Sequence, residues 1–154
     1  MLELKLDSET QSVNGMRLQT FRRSYEQILA GDEPWYPLGT LMHQWFGRYQ
    51  DFRLELVREA IDVPAGVSDE QWRWAAWCVA SVEYLCNKAG LDVPAWALDE
   101  RYKLAEPWYY DEVLGEEEEA ELREETPAEF ARRNIFCEAN PYRNKYEYQS
   151  RKTA

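Results

Sequence analysis

The sequence has few of the residues with which enzymes and metal proteins usually build their sites. His43 is the only histidine among 154 residues, and there are three cysteines. Zinc sites and histidine-based nucleophile systems generally need several imidazoles or a cysteine cluster at ligand spacing, and neither is present. Glycine-rich phosphate loops and the short motifs of common hydrolases are absent too. The sequence therefore predicts no metal, no cofactor and no catalytic residue, and it favours a protein that is not an enzyme.

The sequence also lacks long apolar runs and a secretion signal. No apolar run approaches the ~20 residues that cross a bilayer. The N-terminus has no basic region followed by an apolar one, so it predicts no signal peptide. Cys78 and Cys86 fall on one predicted helix, about 12 Å apart along its axis, which is too far for a disulfide. We therefore expect a cytoplasmic protein in which these two thiols are buried and reduced, whereas Cys137 is a candidate for an exposed thiol.

Basic residues are few compared with acidic residues. The chain has 29 acidic and 18 basic residues, which gives a net charge of −11. This balance argues against direct binding of nucleic acid or of an anionic membrane, because both need a basic surface. It favours a basic protein partner. The acids concentrate in Asp111–Glu129, a stretch with ten acidic residues and one basic residue, Arg123. Such a run is most often simply a solvated surface.

Apolar and aromatic residues are abundant. Hydrophobic residues make up 45% of the chain, with seven Trp and ten Tyr. Between Trp72 and Cys86 the only charged residues are Arg73 and Glu83, and a helix that is apolar on nearly every side must be surrounded by other elements. Ser68 starts this segment with a capping-box pattern, and Gly90 ends it. We call the predicted helix over 68–89 the hub helix, and we expect a mainly all-α fold, a compact helical domain around it.

The remaining segments predict shorter elements and a simple domain organisation. Alternation in Leu2–Leu6 predicts a short strand or an extended arm. Apolar spacing and helix-start signals predict further helices over 14–29, 38–46, 52–61, 112–125 and 126–136, and one short helical turn near Ala95. Together these patterns divide the chain into an N-terminal arm at 1–13, a single helical domain at 14–136 and a polar C-terminal tail at 137–154.

Glu83 is the most unusual charged residue. A carboxylate among apolar neighbours is costly unless it is paired or hydrogen-bonded. We expect it to meet an arginine, a tyrosine hydroxyl or backbone from another helix; the alternative is a general acid with a raised pKa. Arg132 and Arg133 are adjacent, so only one of them is expected to point inward. The sequence favours pairing of one with the acidic stretch just before it.

The candidate partner-binding residues lie where aromatic residues meet the acidic stretch. Trp and Tyr are favoured at binding hot spots, and three of them directly precede the acids. Exposed acids raise the association rate of a basic partner. The candidates are Trp108, Tyr109, Tyr110, Glu116, Glu117, Glu118 and Glu119.

Three segments occur in a recognisable order: PWYPLGTLMHQWFGRY at 34–49, AAWCVASVEYLCNKAGLDVPAWALDERYKLAEPWYY at 75–110 and TPAEFARRNIF at 126–136. Together they resemble a poorly characterised family of small, acidic, Trp-rich bacterial proteins that is loosely associated with toxin–antitoxin-like loci. The family occurs alone or after helix-turn-helix modules, and residues 1–33 are too few for such a module. The resemblance implies an antitoxin-like role, in which any DNA binding is absent or supplied by another protein. It implies no catalytic residue.

Three functions remain open from the sequence. The first is a non-enzymatic cytosolic factor that binds and neutralises a protein partner, as an antitoxin does. The second is an acidic nucleic-acid mimic that occupies a basic site on a DNA-binding enzyme. The third is a small enzyme that uses Glu83. The identity of the partner and the oligomeric state do not follow from the sequence.

Overall fold

The computed structural model describes residues 12–13, 15–111 and 113–142 and is mainly helical. The predicted strand at Leu2–Leu6, most of the predicted arm and the last twelve residues lie outside these ranges. None of the helices within them combines the length and the apolar character that a bilayer-spanning helix requires. The element at the centre of the fold is the hub helix, as the sequence predicts.

The hub helix, α4, runs over Asp69–Ala89. Its first turn is closed by a capping box: the Gln71 N–H donates to Ser68 Oγ at 3.1 Å, and the Ser68 N–H donates to Gln71 Oε1 at 2.9 Å. Gly90 ends it in the left-handed conformation, with φ of 70°, which costs glycine little because it has no Cβ. Every residue from Trp74 to Cys86 is buried. The predicted hub helix and its buried position are confirmed.

A β-hairpin, and not a helix, precedes the first helix. Strand β1 (Ser12–Val13) pairs antiparallel with β2 (Met16–Arg17). Helix α1 then covers Phe21–Leu29, and the Thr20 hydroxyl oxygen caps it by accepting from the Arg23 N–H at 3.0 Å. The predicted helix start at residue 14 was therefore wrong. Gly15, with φ of 78°, turns the chain, and the spacing of Met16 ahead of Phe21 matched a helical period by coincidence.

The helix predicted over 38–46 is interrupted near its end, at Gly47. Helix α2 covers Trp35–His43 and continues into one π-helical turn, Gln44–Arg48. Gly47 has φ of −103° and ψ of −106°, which interrupts the helix. A 3₁₀ turn and the short helix α3 (Arg53–Val57) follow. The helix predicted over 52–61 ends early, and Ile61 is buried in an irregular segment instead.

The irregular segment after α4 folds back over the hub helix. It contains 3₁₀ helices at Ala95–Leu98 and Glu100–Tyr102, and both contact α4. The Trp96 indole N–H donates to the Val57 carbonyl at 3.0 Å and so joins this segment to α3. The short helical turn predicted near Ala95 is confirmed.

The last part of the fold differs most from the prediction. Strand β3 (Trp108–Tyr109) leads to helix α5 (Glu116–Glu125), then to α6 (Ala128–Ala131) and to strand β4 (Ile135–Phe136), which pairs parallel with β3. The helix predicted to reach Phe136 was therefore wrong beyond Ala131. Thr126 does not cap α6; its hydroxyl instead accepts from the Cys137 N–H at 3.0 Å, on the chain that leaves β4.

Residues 137–142 belong to the packed structure. Cys137 and Tyr142 are buried, so the expectation of an exposed Cys137 was wrong. The Trp77 indole N–H donates to Tyr142 Oη at 2.9 Å, and Tyr142 Oη also hydrogen-bonds Ser81 Oγ at 2.5 Å. This segment covers a side of α4 that the sequence left unassigned. Cys78 and Cys86 are free and buried, as predicted.

Candidate functional site

A cluster of aromatic rings underlies the predicted partner surface. Trp77 of α4 lies at its centre, 4.7 Å from the Tyr110 ring and 4.9 Å from the Phe130 ring between centroids. We call this set the aromatic cluster; its members are Trp35, Trp74, Trp77, Trp108, Tyr110, Phe130 and Tyr142. Ring pairs of this kind are stabilised beyond the area they bury. The cluster connects the predicted site directly to the hub helix.

Trp108 and Tyr109 make mainly intramolecular contacts. The Trp108 ring packs edge-on against Trp74, with centroids 5.5 Å apart. The Tyr109 ring stacks on Phe136 at 5.2 Å, and its hydroxyl accepts a 2.6 Å hydrogen bond from Arg123 Nε. Both rings are half-buried. These two candidates therefore fix β3 onto the fold and leave little ring surface for a partner.

Tyr110 and Leu114 offer the accessible apolar surface beside the acidic stretch. Tyr110 belongs to the aromatic cluster, and its hydroxyl accepts from the Trp35 indole N–H at 2.9 Å, yet 37% of the residue is exposed. Leu114, which the sequence analysis did not select, is 83% exposed. Its place directly before the acids was the signal that could have identified it. Of the three aromatic candidates, we retain Tyr110 and add Leu114.

Helix α5 is attached to the rest of the protein by two adjacent residues. Leu122 is its one buried residue. The guanidinium of Arg123, next in sequence, lies 4.3 Å from the centre of the Phe136 ring and 5.4 Å from that of Tyr109. Cation–π contacts of this kind stabilise by about 0.5–1 kcal/mol at exposed sites. The only basic residue of the acidic stretch thus anchors α5 to strands β3 and β4.

The glutamates of α5 are uncompensated. Among the described residues, none of the seven glutamates in EEEEAELREE forms an ion pair. Within the described ranges, their one side-chain hydrogen bond is from the Leu114 N–H to Glu118 Oε2, at 2.9 Å. Glu116, Glu117 and Glu118 are exposed and Glu119 is half-buried. We call these seven glutamates the acidic helix surface. A one-sign surface of this density creates a local field that attracts cations.

Glu83 is buried and paired with both arginines. Arg132 Nη1 donates to Glu83 Oε2 at 2.5 Å, and Arg133 Nη1 donates to Glu83 Oε1 at 2.7 Å. Arg133 also donates to the carbonyl oxygens of Ala97 and Glu129, both at 2.6 Å. Its guanidinium thereby ties α4, α6 and the 3₁₀ segment together. The prediction that Glu83 meets an arginine from another helix is confirmed.

The two arginines match the expectation in their burial but differ from it in the acid with which they pair. Arg133 points inward, with 5% of its side chain exposed, whereas the Arg132 side chain is 54% exposed. Both nevertheless reach Glu83, because α6 ends just before them and lets the chain turn. The expected pairing with the acidic stretch was wrong: in the described chain, the two guanidinium groups compensate the hub-helix carboxylate and leave the acidic helix surface unmatched.

The other reactive side chains show no joint arrangement. His43 is exposed at the end of α2, beside a surface cavity of about 690 Å³. In the part of the chain that the structure describes, no three His, Cys, Asp or Glu residues are placed to hold a metal ion. Burial raises the thiol pKa of Cys78 and Cys137 to about 12 and that of Cys86 to about 11. Thiols with such pKa values are unreactive at neutral pH.

Sequence reasoning missed a basic cleft at the start of α4. A cavity of about 330 Å³ is lined there by Trp72, Arg73, Arg101 and Lys103, together with two carboxylates, Asp69 and Glu106. The signal in the sequence was Arg73, the one cation within the apolar part of the hub helix. Its partners come from the loop some thirty residues later, and no spacing rule connects the two.

Comparison of the chain with family models, with curated proteins and with solved structures finds no match. The resemblance to the Trp-rich bacterial family therefore stays a prediction. The features of this chain that bear on its function are the acidic helix surface and its neighbours Tyr110 and Leu114.

Proposed function

We propose that the protein is a non-enzymatic binding factor that holds a basic protein partner, in the manner of an antitoxin that neutralises a toxin. One observation carries the proposal: a ten-residue helix bears seven glutamates, and in the described chain none of them has an ion-pair partner. Like charges one turn apart destabilise a helix by about 0.2–0.5 kcal/mol a pair. A surface partner supplying cations would relieve this repulsion.

Exposed apolar residues beside the acids favour a protein partner over simple cations in solution. Rim charges mainly set the association rate, whereas buried apolar groups supply most of the affinity. Leu114, with 83% of its surface exposed, and the exposed edge of Tyr110 lie just before α5 in the chain. An interface centred on these two residues would place the acidic helix surface at its rim.

The nucleic-acid mimic is the second candidate, and the same helix favours it. Glu116, Glu117 and Glu118 are all exposed in the first turn of α5, which concentrates negative charge at this end of the helix. A mimic would occupy the DNA site of its partner, so duplex DNA would compete with this chain for binding. A partner that binds this chain and DNA at the same time would contradict the mimic and leave the antitoxin-like proposal intact.

We do not extend the proposal to catalysis by Glu83. Both of its oxygens accept hydrogen bonds from arginines, and 5% of its side chain is exposed. A general acid must hold a proton and reach its substrate. The two guanidinium groups instead occupy both carboxylate oxygens, so neither oxygen is free to contact a substrate.

The test is binding to the product of the gene adjacent to the one that encodes this chain. We expect the two purified proteins to bind, and co-expression to relieve growth inhibition by the neighbour. Leu114→Ser should weaken binding at least tenfold, as expected for loss of an interface anchor. Leu54→Ser is the matched control, because Leu54 is another exposed leucine, with 52% of its surface accessible, but it lies on α3. Equal effects of the two substitutions would contradict an interface at Leu114.

A further inference from the structure

The basic cleft at the start of α4 is a second, separate feature of the surface. Asp69, Trp72 and Arg73 form its wall on α4, and Arg101, Lys103 and Glu106 come from the segment that folds back over this helix. Its volume of about 330 Å³ lies at the lower end of the range of small-molecule sites. The acidic helix surface contributes none of these residues.

Three cations converge on this cleft in a chain whose net charge is −11. Arg73 and Lys103 form no hydrogen bond or ion pair with any residue in the described ranges, although the chain has 29 acidic residues. Elsewhere the arginines Arg22, Arg58 and Arg133 each meet a glutamate. Two unpaired cations facing one cavity are suited to an anionic group of a ligand.

Arg101 is held in place for such a contact. Its guanidinium lies 4.8 Å from the centre of the Tyr102 ring, and Nη2 donates to Tyr102 Oη at 2.7 Å. Tyr102 is itself fully buried and donates to the Ile61 carbonyl at 3.3 Å. Arg101 Nε also lies 3.7 Å from Asp99 Oδ2. Because these contacts already restrict its side chain, Arg101 loses less conformational freedom on binding than a free surface arginine would.

The cleft also has a flat apolar wall and two hydrogen-bond acceptors. Trp72 is half-buried, packs against the core and lines the cavity, with Leu104 beside it. An indole of this kind stacks on a planar ring of a ligand. Asp69 and Glu106 would repel a simple anion, but their carboxylates would accept from N–H groups on that ring.

We propose that this cleft binds a small molecule that carries one phosphate or carboxylate group and a planar ring with N–H donors. In this arrangement Arg73, Arg101 and Lys103 hold the anionic group, Trp72 stacks on the ring, and Asp69 or Glu106 accepts from the ring N–H. A mononucleotide and an amino-substituted aromatic acid share this chemistry. The site does not depend on the proposed partner binding, because α5 takes no part in it.

The experiment is calorimetric titration of the full chain with four probes. The probes are adenosine 5′-monophosphate, 4-aminobenzoate, adenosine and inorganic phosphate. We expect binding of the monophosphate or of the aminobenzoate, and the preferred one identifies the anionic group. Adenosine and inorganic phosphate should each bind at least tenfold more weakly than the monophosphate if the ligand is a nucleotide. Absence of binding by both ring anions, or equal binding of inorganic phosphate, would overturn the proposal.

Two substitutions assign the bound probe to this cleft. Arg73→Gln and Lys103→Gln should each lower the affinity about tenfold, the loss expected for one charge-assisted hydrogen bond. Both residues are exposed, so the variants should keep the thermal midpoint of the parent chain. Arg58→Gln is the matched control: it removes an exposed arginine that forms an ion pair with Glu55 and takes no part in the cleft. If Arg58→Gln weakens binding as much as Arg73→Gln, the probe binds by general charge attraction and the cleft is not its site.

Discussion

Glu83 Oε1 accepts a 2.7 Å hydrogen bond from Arg133 Nη1, and each of the two side chains exposes 5% of its surface. The pair joins the hub helix to the chain that follows α6. A buried ion pair contributes little net stability compared with an apolar pair, but breaking one by removing a single partner is strongly destabilising. Because removal of one partner is so destabilising, a substitution of Glu83 tests whether the described packing is correct.

Glu83→Gln should lower the free energy of unfolding by about 3–5 kcal/mol, because it leaves the Arg133 guanidinium buried without a counter-charge. Glu70→Gln is the control, since Glu70 is exposed in the first turn of the same helix and contributes at most about 1 kcal/mol through the helix dipole. Urea unfolding of the two variants and the parent measures both effects. Equal losses would show that Glu83 is solvated and that the described pairing is wrong.

Trp77→Ala should also be severely destabilising, by about 3–5 kcal/mol, as expected for a large aromatic residue removed from a core. Trp77 is fully buried and its indole N–H donates to Tyr142. Tyr36→Ala provides the comparison, because Tyr36 is the most exposed tyrosine of the described chain and should change stability by less than about 0.5 kcal/mol. An unchanged thermal midpoint of the Trp77 variant would contradict the central position of α4.

The raised pKa values of the three buried thiols predict that the folded protein loses stability at alkaline pH. Burial raises their pKa from an ordinary value of 9.0 to about 12, 11 and 12 for Cys78, Cys86 and Cys137. Above pH 9 the unfolded chain releases thiol protons that the folded chain keeps, so the free energy of unfolding falls as pH rises toward 12. Burial raises the pKa of Tyr25 and Tyr142 as well, which acts in the same direction.

Urea unfolding at pH 7, 9 and 10.5 measures this loss. Cys86→Ala should give a shallower fall between pH 9 and 10.5 than the parent chain, because one shifted group is removed. In parallel, a chromogenic thiol reagent at pH 8 should leave the native protein unlabelled and react with all three cysteines in denaturant. Rapid labelling of the native protein would show that at least one thiol is accessible.

The sequence predicted those elements whose signals are local. The hub helix has a capping box at Ser68, a glycine stop at Gly90 and a largely apolar body between them. The pairing of Glu83 followed from the cost of burying a lone carboxylate, although the choice of arginine did not. These inferences needed only short-range spacing and one general energetic rule.

The errors fall where tertiary contacts override local patterns. Ile135 and Phe136 match a helical period, yet their backbone pairs with Trp108 and Tyr109, more than twenty residues away. Cys137 and Tyr142 lie in a polar context but are buried, and Tyr142 hydrogen-bonds Trp77 of α4. The basic cleft could not be predicted from the sequence because its cations come from two distant segments. The spacing of apolar residues within a short stretch of sequence cannot show such long-range contacts.

The most direct test of the proposed function is the association rate of the basic partner at low and high salt. The variant changes Glu116, Glu117, Glu118 and Glu119 together to Gln, which keeps an acceptor for the Leu114 N–H. The matched control changes four exposed acids outside α5 to their amides, and so alters the net charge by the same amount. Its substitutions are at Asp32, Asp51, Asp62 and Asp92.

If the acidic helix surface steers the partner, the α5 variant should associate at least tenfold more slowly than the parent at low salt. Near 1 M salt, where the charge attraction is screened, the two rates should be nearly equal. The control should associate at close to the parent rate at both salt concentrations. If the α5 variant associates as fast as the parent at low salt, or if the control slows equally, the acidic helix surface is only a solvated helix and the partner binds elsewhere.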